Sequence, residues 1–564
     1  MASNLDFVAT ASRARANRHT RHQQRDAVWV YDAWPRCLRF AIRYLAGLLQ
    51  PTALAGKTCD PRGNDCRRHL GQSGHRHDDG SHHVDLRRPA RHGADDRHAL
   101  DRATLVSSQE NRHRLGRDCR RLERLPGRTD GRFRRELLAG APLALERKQR
   151  NYVSRDSASN DIVGDVESAD LEVTSADWPG FRGAARNGRV LDTTIATDWN
   201  ASPPRELWRI PVGPAWSSFA AVGNRLFTQE QRGDSEVVVC YDADSGVEIW
   251  RHADVARFSE VVSGAGPRAT PTFHDRRLYT LGGQGLLSCL DASSGELQWN
   301  RDLMEEFEAP LPMWGFSASP LVIDDLVIVY VGASNGRGLV AFDRKTGESE
   351  WQIASSGMNY SSAQLVTLVE RPLILCASTA KLVAVDPATG TVAWEYEHSG
   401  QRSMAIVQPQ QISAKSVIVP FGDGGGVARI DLQMVDDVWQ LTERWRSNNL
   451  KPSFNDFVYY NGHLYGFDQH IFTCIDAETG QRQWKRGRYG FGQVILFAEQ
   501  GLLLITAEKG ELVLLEANPK QHTELTRLES LSGKTWNHPT VARKRLFVRN
   551  GAEAICYDLL VGAE

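Results

Sequence analysis

Five stretches of this chain read YDADSGVEIW (241–250), LDASSGELQW (290–299), FDRKTGESEW (342–351), VDPATGTVAW (385–394) and IDAETGQRQW (475–484). They obey one formula, Asp-x-x-(Ser/Thr)-Gly-x-x-x-Trp. A unit of roughly 40 to 50 residues built from short β-rich runs and one tight turn is the signature of a propeller blade. The formula therefore fixes the architecture before any single residue is interpreted.

Each copy explains itself locally. An apolar run such as VVVCYD or GLVAFD precedes the Asp, whose carboxylate is placed to accept backbone N–H groups two residues on. The Gly supplies the φ > 0 that closes a hairpin. The next strand carries the Trp outward. An indole is too large to bury within one four-stranded sheet, so it serves as a wedge between neighbouring blades, with its N–H free to find a carbonyl. The expected docking residues are Trp208, Trp250, Trp299, Trp351, Trp394, Trp445 and Trp484.

The anchor acids count the blades: Asp242, Asp291, Asp343, Asp386, Asp431, Asp476, a degenerate Glu516 and Asp558, at steps of roughly 40 to 52 residues. Two units are worn. IDLQMVDDVWQLTERW has a longer turn before Trp445, and LEANPKQHTELTRL has lost both Gly and Trp. The last unit, AICYDL, stops at its strand, whereas ELWRIPVG around Trp208 is a Trp strand with nothing before it. The expected fold is thus an all-β, eight-bladed propeller in which this N-terminal strand pairs with the last blade and closes the ring, leaving no unpaired edge.

Composition divides the chain. Residues 1–150 hold 31 Lys+Arg against 17 Asp+Glu and the remainder 37 against 52, so the total of −1 conceals a basic arm and an acidic body. His75, His77, Asp78, Asp79, His82, His83 and Asp85 have ligand types suited to zinc, but no Cys-x-x-Cys or His-x-x-x-His accompanies them. Aromatic residues that would stack on bases are nearly absent between Tyr44 and Phe133, which argues against nucleic acid as a partner. Two readings account for this Arg/His-rich segment: a disordered arm, or a G+C-rich gene translated in the wrong frame. Residues 151–177, acidic and small, read as a linker, and 178–564 as the propeller. CLRFAIRYLAGLL (37–49) is interrupted by Arg39 and Arg43 and has no signal-peptide layout. Cys240, Cys289, Cys474 and Cys556 each stand two residues before an anchor acid, in the slot of Ala341 and Ala384. They read as small buried strand residues.

The Ala/Cys-x-Asp-x-x-Thr-Gly-x-x-x-Trp pattern resembles the tryptophan-docking repeat of pyrroloquinoline quinone (PQQ) propellers, over about residues 178–560. That family holds both eight-bladed quinoprotein alcohol dehydrogenases and a non-enzymatic outer-membrane-assembly propeller lipoprotein. DWPGFRGAARNGRV (177–190) also resembles the opening segment of PQQ-like propellers that follow an N-terminal membrane region. The resemblance implies a monomer in the cell envelope, membrane-anchored or periplasmic, with any tether in a native N-terminus that the written sequence does not represent.

Fold does not settle function. The resemblance to the dehydrogenases implies PQQ with calcium and an Asp as catalytic base, but no two cysteines are adjacent here and no Cys-x-x-Cys-His occurs. The residues that open the innermost strands are expected to converge on a central funnel. Among them Asp456 is the only acid and is the candidate base or cation ligand, while Arg268, Trp314, Asn455, Trp536, Asn537 and His538 are the candidates for holding a flat anionic cofactor. The same positions have a plain structural use, satisfying backbone groups at strand starts. On the cofactor reading Asp456→Asn leaves stability nearly intact. Two functions follow: a non-catalytic envelope scaffold that meets protein partners through its faces and loops, or a PQQ-dependent dehydrogenase of an alcohol or polyol.

Overall fold

A computed structural model describes residues 171–333, 337–354, 357–397, 405–422 and 424–559; the Arg/His-rich segment lies outside the described residues. Eight sheets of four strands succeed one another along the chain, spanning 220–254, 272–302, 321–354, 364–397, 410–447, 458–488, 493–529 and 540–558. These are the eight blades of the propeller. The last blade contributes three consecutive strands, Thr540–Ala542, Arg545–Arg549 and Glu553–Asp558. Its outermost strand is Arg205–Pro211, antiparallel to Glu553–Asp558 with Trp208 opposite Cys556. The seventh sheet gains a fifth strand, Arg189–Val190, which runs parallel to the innermost strand Gln493–Phe497. First strands approach one another between blades one and eight, one and two, two and three, and six and seven.

Every part of the repeat formula has a visible job. Asp242 Oδ1 accepts from the N–H groups of Asp244 (3.1 Å) and Ser245 (2.9 Å), and Gly246 N–H donates to Asp242 O (2.8 Å). Asp291, Asp343, Asp386 and Asp476 hold equivalent turns. The Trp Nε1–H of one blade donates to the carbonyl just after the anchor acid of the next: Trp208 to Ala243 (3.0 Å), Trp250 to Ala292 (3.1 Å), Trp299 to Arg344 (3.1 Å), Trp351 to Pro387 (3.2 Å) and Trp445 to Ala477 (3.3 Å). Trp484 reaches Asn518 O (2.9 Å) in the worn seventh blade. The turn Gly lies under the same ring, so a Cβ at Gly347 would stand 2.7 Å from Trp299 and one at Gly246 2.9 Å from Trp208. Gly in the formula thus serves a left-handed φ and an indole face at once.

The exception proves the rule physically. Trp394 faces the fifth blade, whose nine- and ten-residue strands Val427–Val435 and Val438–Ser447 turn at Asp436 and Asp437 without the Asp-Gly turn. Its Nε1 has no hydrogen-bond partner among the described residues.

Middle strands such as Leu326–Tyr330 are buried on both faces, because neighbouring blades cover each sheet, whereas the outermost strands alternate. Cys240, Cys289, Cys376, Cys474 and Cys556 are buried free thiols in the middle strands. The end of the stretch read as linker packs against the propeller: Leu171 sits with Ala220, Val222 and Phe227, and Asp177 is 6% exposed. Too few apolar residues stand there for composition to reveal it.

Candidate functional site: a strapped central channel

The segment 177–190 crosses the channel instead of running over the surface. Trp178 bridges Ala221 of the first blade, Pro179 O accepts from Phe273 N–H of the second (2.7 Å), and Gly188 O accepts from Leu496 N–H of the seventh (2.8 Å). Asp177 is tied to Arg543 of the eighth blade (2.7 Å). Between these anchors Gly183 N–H donates to Gly180 O and Arg186 N–H to Gly183 O, two successive turns that coil the strap inside the ring.

Two strap arginines reach buried sites. Arg182 is 2% exposed; its Nη1 lies 3.1 Å from Asp456 Oδ1 and its Nη2 donates to Phe457 O (2.8 Å) and Asn187 O (3.3 Å). Arg186, 4% exposed, has no carboxylate against it among the described residues. Its guanidinium donates to Ser319 O (3.2 Å), Ala363 O (2.9 Å), Thr272 Oγ1 (3.2 Å) and Pro320 O. Burial pulls the Arg186 pKa down to about 9, which leaves it a cation at neutral pH. Both arginines adopt left-handed φ, 59° and 52°, a conformation non-glycine residues seldom take. A Cβ at Gly188 would stand 3.0 Å from the Arg182 guanidinium, so the strap is shaped around that side chain.

Asp456 is a fully engaged carboxylate. Oδ1 receives Arg182 and the Gln408 N–H (3.1 Å), and Oδ2 lies 3.1 Å from His538 Nε2. Burial raises its pKa, but the Arg182 guanidinium and the His538 contact outweigh that and hold the carboxyl below the usual range. Burial lowers the His538 pKa despite Asp456, so the imidazole is neutral and its Nε2–H donates. Phe181 packs edge-on to this ring at 4.9 Å.

The position of Asp456 is one of a series. His538 N–H donates to Ser218 Oγ (2.9 Å), Ser218 N–H to Thr270 Oγ1 (3.0 Å), Thr270 N–H to Ser319 Oγ (2.9 Å) and Ser319 N–H to Ser362 Oγ (2.9 Å). Each side chain accepts the inner N–H of the preceding blade. Asp456 does this for Gln408, and Arg182 and His538 occupy its remaining capacity.

The other expected residues divide. Asn455 gives its amide N–H to Gly492 O, and Asn537 gives its own to Ala215 O (3.2 Å) and Ser217 O (2.7 Å), each strapping one blade to the next. Trp536 stacks obliquely on Trp216 (4.9 Å between centroids) and Phe454 (4.8 Å), with its N–H on Glu508 (2.9 Å). Trp314 packs on Tyr360 (5.1 Å). Arg268 is held by Ser263 Oγ, Gly264 O and Glu260 (3.4 Å) over the Phe258 ring. Of these candidates, Asp456 and His538 are joined by a side-chain hydrogen bond. Sequence reasoning missed Arg182, Arg186 and Phe181; the signal was the run FRGAAR itself, with two arginines a turn apart between glycines.

An anionic quinone fits this lining poorly. Gln408, Asn455, Gln493 and Asn537 each donate an amide N–H to a neighbouring blade, while their side-chain oxygens accept no hydrogen bond from the described residues. What remains is rich in acceptors. Calcium on Asp456 would need oxygens already engaged, and among the described residues no group of three His, Cys, Asp or Glu side chains is placed to hold a metal.

Comparison with known proteins agrees with the repeat. A family model described as outer membrane protein assembly factor BamB matches residues 233–486. BamB of Moranella endobia (strain PCIT) is 22% identical over 264 residues, 44% of this chain and 64% of that protein. The quinohemoprotein alcohol dehydrogenase ADH IIB of Pseudomonas putida is 27% identical over 266 residues, 42% of this chain and 35% of that protein. The chain thus spans less than two thirds of either relative. A solved europium-containing methanol dehydrogenase shares the fold with a TM-score of 0.52 at 13% identity, over 68% of this chain and 91% of that structure. The resemblance to PQQ-like propellers holds, and it spans both branches, assembly factor and dehydrogenase.

Proposed function

We propose that this chain is a non-catalytic PQQ-like propeller, an envelope scaffold that offers its faces and loops to protein partners. One observation carries the reading: the carboxylate best placed to act as base, Asp456, is 3% exposed and already bound by Arg182, Gln408 and His538 of its own chain. A base must reach the proton it removes, and this one is covered by the strap. The envelope location follows the printed name of the matching family. The competing reading, PQQ-dependent oxidation of an alcohol or polyol, requires the channel to admit a quinone and to free Asp456. Titration of the protein with PQQ, with and without calcium, separates them. The scaffold reading expects no saturable tryptophan quenching and no rise in melting midpoint; calcium-dependent quenching with a raised midpoint sinks it.

A further inference from the structure

We infer that the central channel is a binding site for guanidinium groups, which the chain fills with its own Arg182 and Arg186. The lining is built from acceptors. Backbone carbonyls of Ser319, Pro320 and Ala363 with Thr272 Oγ1 surround Arg186; Asp456 and Phe457 O receive Arg182. The inner amides donate sideways into neighbouring blades, and their buried oxygens accept no hydrogen bond from the described residues. Guanidinium is the side-chain group that is all donor, planar and weakly hydrated, so it fits such a lining better than an ammonium, a neutral amide or any anion. Two arginines held at left-handed φ, with Gly188 moulded to one of them, mark the fit as built in.

The inference deepens the scaffold reading, because a channel selective for cations disfavours an anionic quinone. The two fail separately: PQQ binding is read on the wild type, guanidinium binding on variants without any quinone.

The test is chemical rescue. Arg186→Ala empties one site, and methylguanidinium at millimolar concentration should then raise the melting midpoint of that variant saturably, by about 2 °C or more. The wild type, whose site is filled, should not respond, and methylammonium should not substitute. Equal shifts in variant and wild type, equal potency of methylammonium, or no shift overturns the inference. If Arg186→Ala does not fold, Arg182→Ala gives the same reading at the other site. If neither folds, refolding is compared in the two additives: recovery with methylguanidinium alone supports the site, and recovery with neither or with both equally refutes it.

Discussion

At the scale of single residues, Asp456 changes meaning once its partners are known. Sequence reading makes it the lone acid of a funnel and expects Asp456→Asn to leave stability nearly intact. The structure reverses that expectation, because an amide in its place leaves the Arg182 guanidinium buried without a counter-charge. Removing one partner of a buried pair costs about 3–5 kcal/mol, so chemical denaturation of D456N should show a large loss, partly restored by adding Arg182→Met. An unchanged midpoint would mean the strap is not seated. Acid should act in the same direction. The folded Asp456 pKa is depressed, so its contribution is complete above the unfolded carboxyl value of about 3.9 and disappears as pH falls through the lower folded one. His538 is depressed as well: below about 6.5 the unfolded chain takes up a proton that the folded channel refuses, so stability declines as pH falls from 7 toward 5. His538→Gln should flatten that part of a midpoint-against-pH curve. Some slope will persist from His274 and His522, whose pKa values burial also lowers.

At the scale of the blade, docking can be tested by comparing two tryptophans. Trp250 is buried, donates to Ala292 O and lies over Gly295, whereas Trp394 is as deeply buried but has no partner for its N–H among the described residues. Trp250→Ala should cost about 3–5 kcal/mol. The sharper comparison is Trp→Phe, which removes the N–H with little change in the apolar wedge: it should cost Trp250 about 0.5–1.5 kcal/mol more than Trp394, the net worth of one hydrogen bond. Equal losses would show that the carbonyl dock contributes nothing. Gly295→Ala should also destabilise, since its φ of 76° and the Trp250 ring both exclude a Cβ. This level was legible in the sequence because it repeats: an Asp, a Gly and a Trp at fixed offsets recur with one physical reason each, and the two worn copies fall where docking is altered. The strap was not legible for the converse reason. DWPGFRGAARNGRV occurs once, has neither the period of a strand nor that of a helix, and its arginines look like solvent-facing charge until eight blades surround them.

At the scale of the whole molecule, the ring is closed twice, at its rim and at its centre. The rim closure is the strand Arg205–Pro211 on the last blade. The central one is the strap, which contacts the first blade through Trp178, the second through Pro179, the third and fourth through Arg186, the sixth through Arg182, the seventh through Gly188 and the eighth through Asp177. Strand ladders within a blade are local, but these contacts join residues up to 366 positions apart, and they make the separate sheets one cooperative body rather than a chain of near-neighbour units. Two truncations distinguish the contributions. Removing residues 1–170 keeps Leu171, the strap and the rim strand, and should leave the melting midpoint where it was. Removing residues 1–190 keeps the rim strand alone; it deprives Asp456 of Arg182 and several inner carbonyls of Arg186, so the midpoint should fall by many degrees or the transition should lose its single step. If both truncations melt alike, rim pairing alone holds the propeller and the strap is only lodged in the channel; if both fail, residues before Leu171 support the fold as well.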